Sequence, residues 1–458
     1  MRINRIDVLS IASLLFLSAF FLFFRLHYSD IQTWDESTNA LVVYETLHAS
    51  DKSVLLFEGR PFFEKPPLWY YATMGVVAIF GFTEISLRSV SALSGTGIVL
   101  LLYFVGSRLV SRRTGFLASV SVFTVTQLFF FNPGGLFSTH TLRSADSDAL
   151  QLLFILTSTL SFSLANGKKR WMYGGFIFSA LAIITKGPLG FLPVIVWGIM
   201  NLSVAKRSQL SRKTVFAAFV LFCGIVFSWH AYMYFKFGGS FIETYFGYHL
   251  FARASSILEN HAEPWWFYLK VLASPQVFPG FLLCITAFLI VLKTRPRNTC
   301  PVINASLISV ILVFFFITLS KTKLAWYILP LYPFIALIIG FGWDKLINSA
   351  GRKISPAKIV VIGGGILLVA AIGYNGTLML REKRGIQNTF FREARIRCPE
   401  GLFSLTDSTD RGERYYFIRH KILVKEDAAQ RDSPPACIVH RGDFKDSKDD
   451  STIPGATE

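Results

Sequence analysis

VLSIASLLFLSAFFLFFRLHYSDIQTWDE, residues 8–36, decides how the rest of the chain is read. Its first part, Val8 to Phe24, carries no charge and is long enough to cross the hydrocarbon core of a bilayer. Its last residues, Trp34-Asp35-Glu36, set two adjacent carboxylates just beyond that run, and ionisable groups beside lipid usually have a function. Arg2 and Arg5 give the run the charge pattern of a signal peptide. No small-residue cleavage site follows, so it is expected to stay as a first span.

The composition extends that reading to the whole chain. Of 458 residues, 52% are hydrophobic, 15% aromatic and only 16% charged, which excludes an ordinary soluble globule. Mean hydropathy is +0.47. An all-α polytopic membrane protein is expected, with about eleven spans near 8–26, 88–107, 114–131, 146–165, 171–186, 188–204, 213–236, 266–292, 303–319, 324–343 and 358–376. The net charge of +17 does not point to nucleic acid, because the basic residues fall in short clusters between apolar runs. These are Arg108/Arg112/Arg113, Lys168/Lys169/Arg170, Lys206/Arg207/Arg212/Lys213, Lys293/Arg295/Arg297 and Lys345/Arg352/Lys353/Lys358. With the amino terminus inside, all of them are cytoplasmic.

That parity requires Pro67 to Phe82, apolar and rich in Trp and Tyr, to be an interfacial or re-entrant helix rather than a twelfth span. It lies in a first external loop, residues 27–87, of a transmembrane domain covering 1–376. Residues 377–440 read as a small extracytoplasmic α/β domain, with strands at Leu402–Leu405, Tyr415–Ile418, Ile422–Val424 and Cys437–His440 beside a helix at Thr389–Arg397. Residues 441–458 read as a disordered tail. Cys398 and Cys437 share this part and form a candidate disulfide in an oxidising compartment.

The same parity gathers a set of polar residues outside. Asp35 and Glu36 open an amphipathic helix, where capping alone is the plain alternative. Phe63-Glu64-Lys65-Pro66 packs an ion pair between aromatics and a proline stop. Arg143-Ser-Ala-Asp146-Ser-Asp148 puts a cation and two acids at a span start, more than a cap needs. Thr185-Lys186-Gly187 is a turn dipped toward the bilayer, and Lys321, Lys323, Trp326 and Tyr327 line the mouth of another span. His249, Arg253 and His261 lie in a long outer loop. Cations gathered with carboxylates beside lipid suit an anionic, lipid-borne substrate such as a sugar on a polyprenyl phosphate. Its leaving group is already a phosphate, so the protein chiefly needs Lys or Arg to hold the charge and a carboxylate to activate or orient the acceptor.

The ordered set, from Arg5 to about Ile339, resembles the GT-C glycosyltransferases related to protein O-mannosyltransferases and, more closely, to the lipid A aminoarabinose transferases. The resemblance rests on Asp35-Glu36, Phe63 to Pro66, Arg143 to Leu150, Thr185 to Gly187, His261 to Leu269 and Lys323 to Pro330. It implies an inverting transfer from a polyprenyl-phosphate sugar to a lipid, glycan or protein on the outer face of the cytoplasmic membrane. Asp35 would be the main catalytic carboxylate, with Glu36 supporting it, and Asp148 favoured over Asp146 as the assisting acid. Lys65 would meet the donor phosphate, with Arg143, Lys186, Lys321, Lys323 and Tyr327 as further candidates. The resemblance also makes Glu64 and His249 candidate ligands of a divalent metal ion, with no other cofactor expected. One departure stands out: the aminoarabinose transferases carry an Arg three residues after their first Asp, and this chain has Thr38. A lipid or sugar transporter is the alternative of another class, but the charges collect on one side and no repeated halves are visible.

Overall fold

The computed structural model describes residues 4–385 except 33, 131–138, 204–209, 258–262, 275–276, 294–299, 351–354 and 383, and beyond these residues 402–403, 415–416, 419, 423–424 and 438–439. The chain is a bundle of helices whose starts are written in the sequence. Asn4, Thr83, Ser111, Ser211 and Ser355 each accept, through the side chain, the backbone N–H of the residue three positions on.

Every expected span carries a helix. These are α1 (Arg5–Ser18, continued by a π-turn to Phe23), α4 (Glu84–Leu109), α5 (Arg112–Ser121), α6 (Asp148–Leu164), α7 (Lys169–Lys186), α8 (Leu192–Ser203), α9 (Arg212–Phe237), α11 (Phe278–Lys293), α12 (Pro301–Leu319), α13 (Tyr332–Ser349) and α14 (Pro356–Arg381). Between them lie α2 (Asp35–His48), α3 (Leu68–Phe80) and the short α10 (Phe267–Leu272). Among the described residues, six helices are long and apolar enough to cross a membrane: Arg5–Phe23, Glu84–Leu109, Arg212–Phe237, Pro301–Leu319, Ala325–Ser349 and Pro356–Arg381. The protein is therefore a multi-pass membrane protein.

Two expected spans are interrupted, and each break has a cause. The helix expected over 114–131 stops at Ser121 and continues as two 3-10 turns, Val122–Thr124 and Thr126–Leu128. Asn375 of α14 inserts there: its amide donates to the Phe123 carbonyl at 2.8 Å, and its own oxygen accepts from Thr126 at 2.6 Å. The run 266–292 becomes α10 and α11: Pro275 falls in the sequence between them, and Pro279 sits in the first turn of α11, where a proline is tolerated. The segment expected at the interface, α3, has 13 residues, or about 20 Å, less than the hydrocarbon core. It buries Trp69, Tyr70, Thr73, Met74 and Val77 along one stripe and leaves Ile79 and Phe80 exposed.

The middle of the bundle is α13, buried without a break from Tyr332 to Asp344. A helix apolar on every side belongs inside a bundle. Small residues let its neighbours close in, since a Cβ on Gly340 would meet the Thr114 carbonyl of α5 and one on Gly342 would meet Ala287 of α11.

Ion pairs close the two ends of α4, which at 26 residues is about 39 Å long. At its carboxyl end, Arg112 donates to Asp7 at 2.9 Å, and Arg113 lies 3.3 Å from Asp344. At its amino end, Arg88 is fully buried and clasps Glu36 through Nε at 2.7 Å and Nη2 at 2.8 Å. Its remaining N–H groups reach the carbonyls of Leu26 at 2.8 Å, Ser29 at 3.0 Å and Asp30 at 2.9 Å. Glu36 accepts two more bonds, from Gln32 N at 2.9 Å and Ala145 N at 2.8 Å. Four chain segments are thus fixed around one ion pair.

Of the carboxyl-terminal part, Leu402–Phe403, Leu423–Val424 and Ile438–Val439 form parallel strands with the first in the centre. Tyr415 and Tyr416 are helical rather than extended as expected, and both rings pack into an apolar cluster with Trp69, Tyr70 and Leu87, on the same side of the chain rather than on alternate faces as a strand would present them. Tyr416 Oη accepts from Ile31 N at 3.0 Å, and Arg419 pairs with Glu84 at 3.0 Å. The expected helix over 389–397 and Cys398 and Cys437 lie outside the described residues; Cys223, Cys284 and Cys300 are free thiols.

Removing one partner of a buried ion pair strands the other, so Glu36→Ala is expected to destabilise the protein by about 3–5 kcal/mol. Thermal unfolding in detergent measures it, and an unchanged midpoint would contradict the clasp. Cysteines introduced at Glu64 and at Arg113 are expected to label with a membrane-impermeant thiol reagent from opposite faces of oriented vesicles. Labelling from one face would restore α3 as a span.

Candidate active site

Two strained backbone positions aim the site. Trp34, with φ +70°, precedes α2 and turns Asp35 into its first helical position. His140, with φ +60°, sits in the left-handed region on the loop that leads to α6. Such a conformation costs a bulky residue about 1–3 kcal/mol and persists only where its surroundings impose it. Here the imposing groups are plain: Asp146 accepts from His140 N at 2.9 Å and from the Ser144 hydroxyl, while Ser144 Oγ accepts from Thr141 N at 2.8 Å. The loop is pinned from outside as well, by Asn39 Nδ2 to Ala145 O at 3.0 Å and Ser91 Oγ to Asp146 O at 2.8 Å.

On this frame five side chains form a line of alternating charge. Lys65 Nζ donates to Asp35 Oδ1 at 2.7 Å, and Asp35 Oδ2 lies 3.2 Å from His140 Nε2. His140 Nδ1 lies 2.6 Å from Asp148 Oδ2, and Lys186 Nζ donates to Asp148 Oδ1 at 2.5 Å. The His140 ring is stacked on Trp326, with centroids 4.3 Å apart and planes within 12°.

The electrostatics follow from these neighbours. Burial disfavours a charged His140, but Asp148 and then Asp35 outweigh it and push its pKa up to about 9, even with Lys186 opposing. Burial works against the Asp35 carboxylate too, yet Lys65 and His140 hold it well below the usual carboxylate range. Lys65 is likewise held well above its ordinary value, because Asp35 and Glu64 more than offset its burial. At neutral pH Lys65, Asp35 and His140 are therefore all charged.

The line faces a cavity of about 970 Å³. Of the residues expected from sequence, Asp35, Asp148, Lys65, Lys186, Tyr327, Glu64 and His249 line it, together with Thr38 and Arg253. His249 and Arg253 come from the π-helix Ile242–Ala252 and the residue after it; such wide turns are frequent at functional sites.

Five expected residues do not line it. Glu36 is buried against Arg88, and Asp146 organises the His140 loop. Arg143, expected to bind donor phosphate, is fully buried and reaches Phe24 O at 2.8 Å, Phe129 O at 3.3 Å, Met379 Sδ at 3.0 Å and Glu382 at 3.4 Å. It ties the loop to the first and last spans. Lys321 is exposed, and Lys323 donates to Ser320 O at 2.7 Å. His261 lies outside the described residues.

The metal candidates Glu64 and His249 share the cavity, but Glu64 is 3.5 Å from the Lys65 ammonium, a poor neighbour for a dication. His140, Asp146 and Asp148 bring ligand atoms within 4.8 Å of one another. In this structure these atoms are engaged with other groups: Lys186 and His140 each bond one Asp148 oxygen, and His140 has both ring nitrogens on carboxylates.

Comparison with known proteins places the fold. Residues 64–232 match the dolichyl-phosphate-mannose-protein mannosyltransferase family. The chain is 32% identical over 341 residues to an uncharacterized protein of Aquifex aeolicus, covering 74% of this chain and 72% of that one. It is 27% identical over 359 residues to the undecaprenyl phosphate-α-4-amino-4-deoxy-L-arabinose arabinosyl transferase of Pseudomonas savastanoi, covering 76% and 64%. The crystal structure of ArnT from Cupriavidus metallidurans bound to undecaprenyl phosphate superposes with a TM-score of 0.67 at 18% identity, over 91% of this chain and 85% of that one. The chain belongs to the GT-C glycosyltransferases of the aminoarabinose transferase and protein mannosyltransferase superfamily. The archaeal oligosaccharyltransferase of Archaeoglobus fulgidus shares the fold more distantly, with a TM-score of 0.56 at 10% identity over 91% of this chain and 64% of that one. The chain spans 56–65% of the length of the aminoarabinose transferases it matches.

Sequence reading within this superfamily missed His140 and Arg88. Arg88 carried a signal, a lone Arg at the start of an expected span, away from the basic clusters.

Since Arg143 braces the loop from inside, Arg143→Met is expected to cost about 1–3 kcal/mol through stranded acceptors and leave polyprenyl-phosphate binding unchanged. Thermal unfolding and a lipid-binding titration check the two halves separately. Weakened binding at unchanged stability would return Arg143 to the site.

Proposed function

We propose that this protein is an integral-membrane glycosyltransferase that moves a sugar from a polyprenyl phosphate to an envelope acceptor on the outer face of the cytoplasmic membrane. The observation that carries the reading is the charged line Lys65–Asp35–His140–Asp148–Lys186 along one cavity. A polyprenyl-phosphate sugar brings its own leaving group. The bond between the anomeric carbon and the phosphate oxygen breaks as the acceptor oxygen bonds to the opposite face of that carbon; the phosphate takes the electron pair and finally the proton that the acceptor hydroxyl gives up. Lys65 and Lys186 are the cations that hold this charge.

Asp35 serves the acceptor. Because its neighbours keep it ionised and weakly basic, it acts mainly by accepting a hydrogen bond and orienting the attacking oxygen, and by favouring positive charge at the anomeric carbon. Asp148 fixes Lys186 and supports the far end of the line. Thr38 lines the cavity where the aminoarabinose transferases carry an Arg, so the sugar or the acceptor differs from theirs in the charge it presents.

The match of residues 64–232 to protein mannosyltransferases favours a second reading, in which the acceptor is a protein. Mass analysis of envelope lipids and glycoproteins from cells with and without the gene separates the two, since one fraction alone should lose a sugar. In either case Asp35→Asn is expected to insert like the wild type while losing transfer by about 100-fold or more. Reconstituted vesicles supplied with the identified lipid-linked sugar measure it. Full activity in that variant would remove Asp35 from the reaction.

A further inference from the structure

We propose that His140, as a doubly protonated imidazolium, is the positioning residue that joins the two carboxylate–lysine pairs into one site and sets the alkaline limit of its activity. The proposal rests on the glycosyltransferase reading and adds a residue to it. The geometry carries it: one ring lies 2.6 Å from Asp148 and 3.2 Å from Asp35, so two carboxylates from different helices meet only through its two nitrogens. A neutral imidazole has one N–H and one lone pair, so it can donate to only one of them. The shorter link to Asp148 survives loss of the proton, and the link to Asp35 is the one given up.

The ring cannot evade this choice by moving. Its backbone is held in the left-handed region by Asp146, its face is stacked on Trp326, and the ring is buried. The charged groups around it come from every element packed there. Asp35 on α2 and Asp148 on α6 bond the ring, Asp146 holds its backbone, Lys186 on α7 acts through Asp148, and Lys65 acts through Asp35. The stacked Trp326 on the 3-10 turn Ala325–Leu331 is neutral.

The sign of the pH dependence follows. The folded pKa is raised above the ordinary imidazole value, to about 9. The bridge therefore contributes fully below about pH 6.5 and is lost as the pH rises through about 9. Lys65 titrates well above this window and does not produce the same limb.

The test compares the full-length wild type with His140→Asn, chosen because Asn tolerates positive φ where other residues would unfold the loop. Trp326 provides a readout that needs no substrate, because a stacked imidazolium quenches indole emission and a neutral imidazole quenches it less. Wild-type emission is expected to rise with a midpoint near pH 9, and the difference is expected to vanish in His140→Asn and in Trp326→Phe. With the donor and acceptor identified as above, wild-type kcat is expected to fall in step with that rise. His140→Asn should lose the alkaline limb, with kcat about 100-fold lower and donor KM within a few-fold. A limb retained in His140→Asn, or no emission change between pH 7.5 and 10, overturns the proposal, as does a normal kcat in that variant. A residue with only a folding role would lower the active fraction and leave the shape of the profile unchanged. If the wild type titrates in emission but transfers no sugar, the glycosyltransferase reading fails, and the positioning role falls with it.

Discussion

The buried pair between Arg88 and Glu36 is the constraint on which the site depends. An ion pair inside a protein gains little over a well-packed apolar pair, because both charges first lose water. What it supplies is geometry. Arg88 uses its whole guanidinium fork, on one carboxylate and three carbonyls, and Glu36 in turn holds the backbone of the loop before α6. The first span's exit, the start of α2, the start of α4 and the His140 loop are thereby fixed to a common point. Asp35 is the residue next to that point, which is why an adjacent pair of acids divides into one that is structural and one that faces the cavity.

The site shows the same division of labour at the second pair of acids. Asp146 turns inward to set a strained loop, and Asp148 turns outward to Lys186 and His140. Each cavity carboxylate is thus backed by a buried one two or fewer residues away. The inner acids meet their needs with N–H groups and an arginine, so they stay in place whatever occupies the cavity. The outer acids are paired with lysines of the cavity wall, Asp35 with Lys65 and Asp148 with Lys186.

Much of this was legible in the sequence, and what was not shares one physical reason. Uncharged runs, caps and basic clusters are local features, and they located every helix that the long apolar segments imply. The acids at 35 and 148 and the lysines at 65 and 186 were found because lipid makes any charge conspicuous. Partners were not legible, because they lie far apart in the chain. Arg143 looked like a phosphate ligand until Glu382, Met379 and the Phe24 carbonyl surrounded it. The helix expected over 114–131 breaks for an asparagine at 375. His140 is one residue in a polar loop until Asp35 and Asp148 are brought to its two nitrogens.

The bonds of Arg143 also bear on the order in which the protein can be made. Its loop carries His140 and leads directly to Asp148, yet two of its partners, Met379 and Glu382, lie at the end of the last span. A ribosome that has produced the first two-thirds of the chain has already delivered every side chain of the charged line into the membrane. The loop that aims two of them still lacks its final brace. The frame around the charged line is therefore complete only with α14, and a chain cut short before it carries these side chains without the brace of the loop that aims two of them.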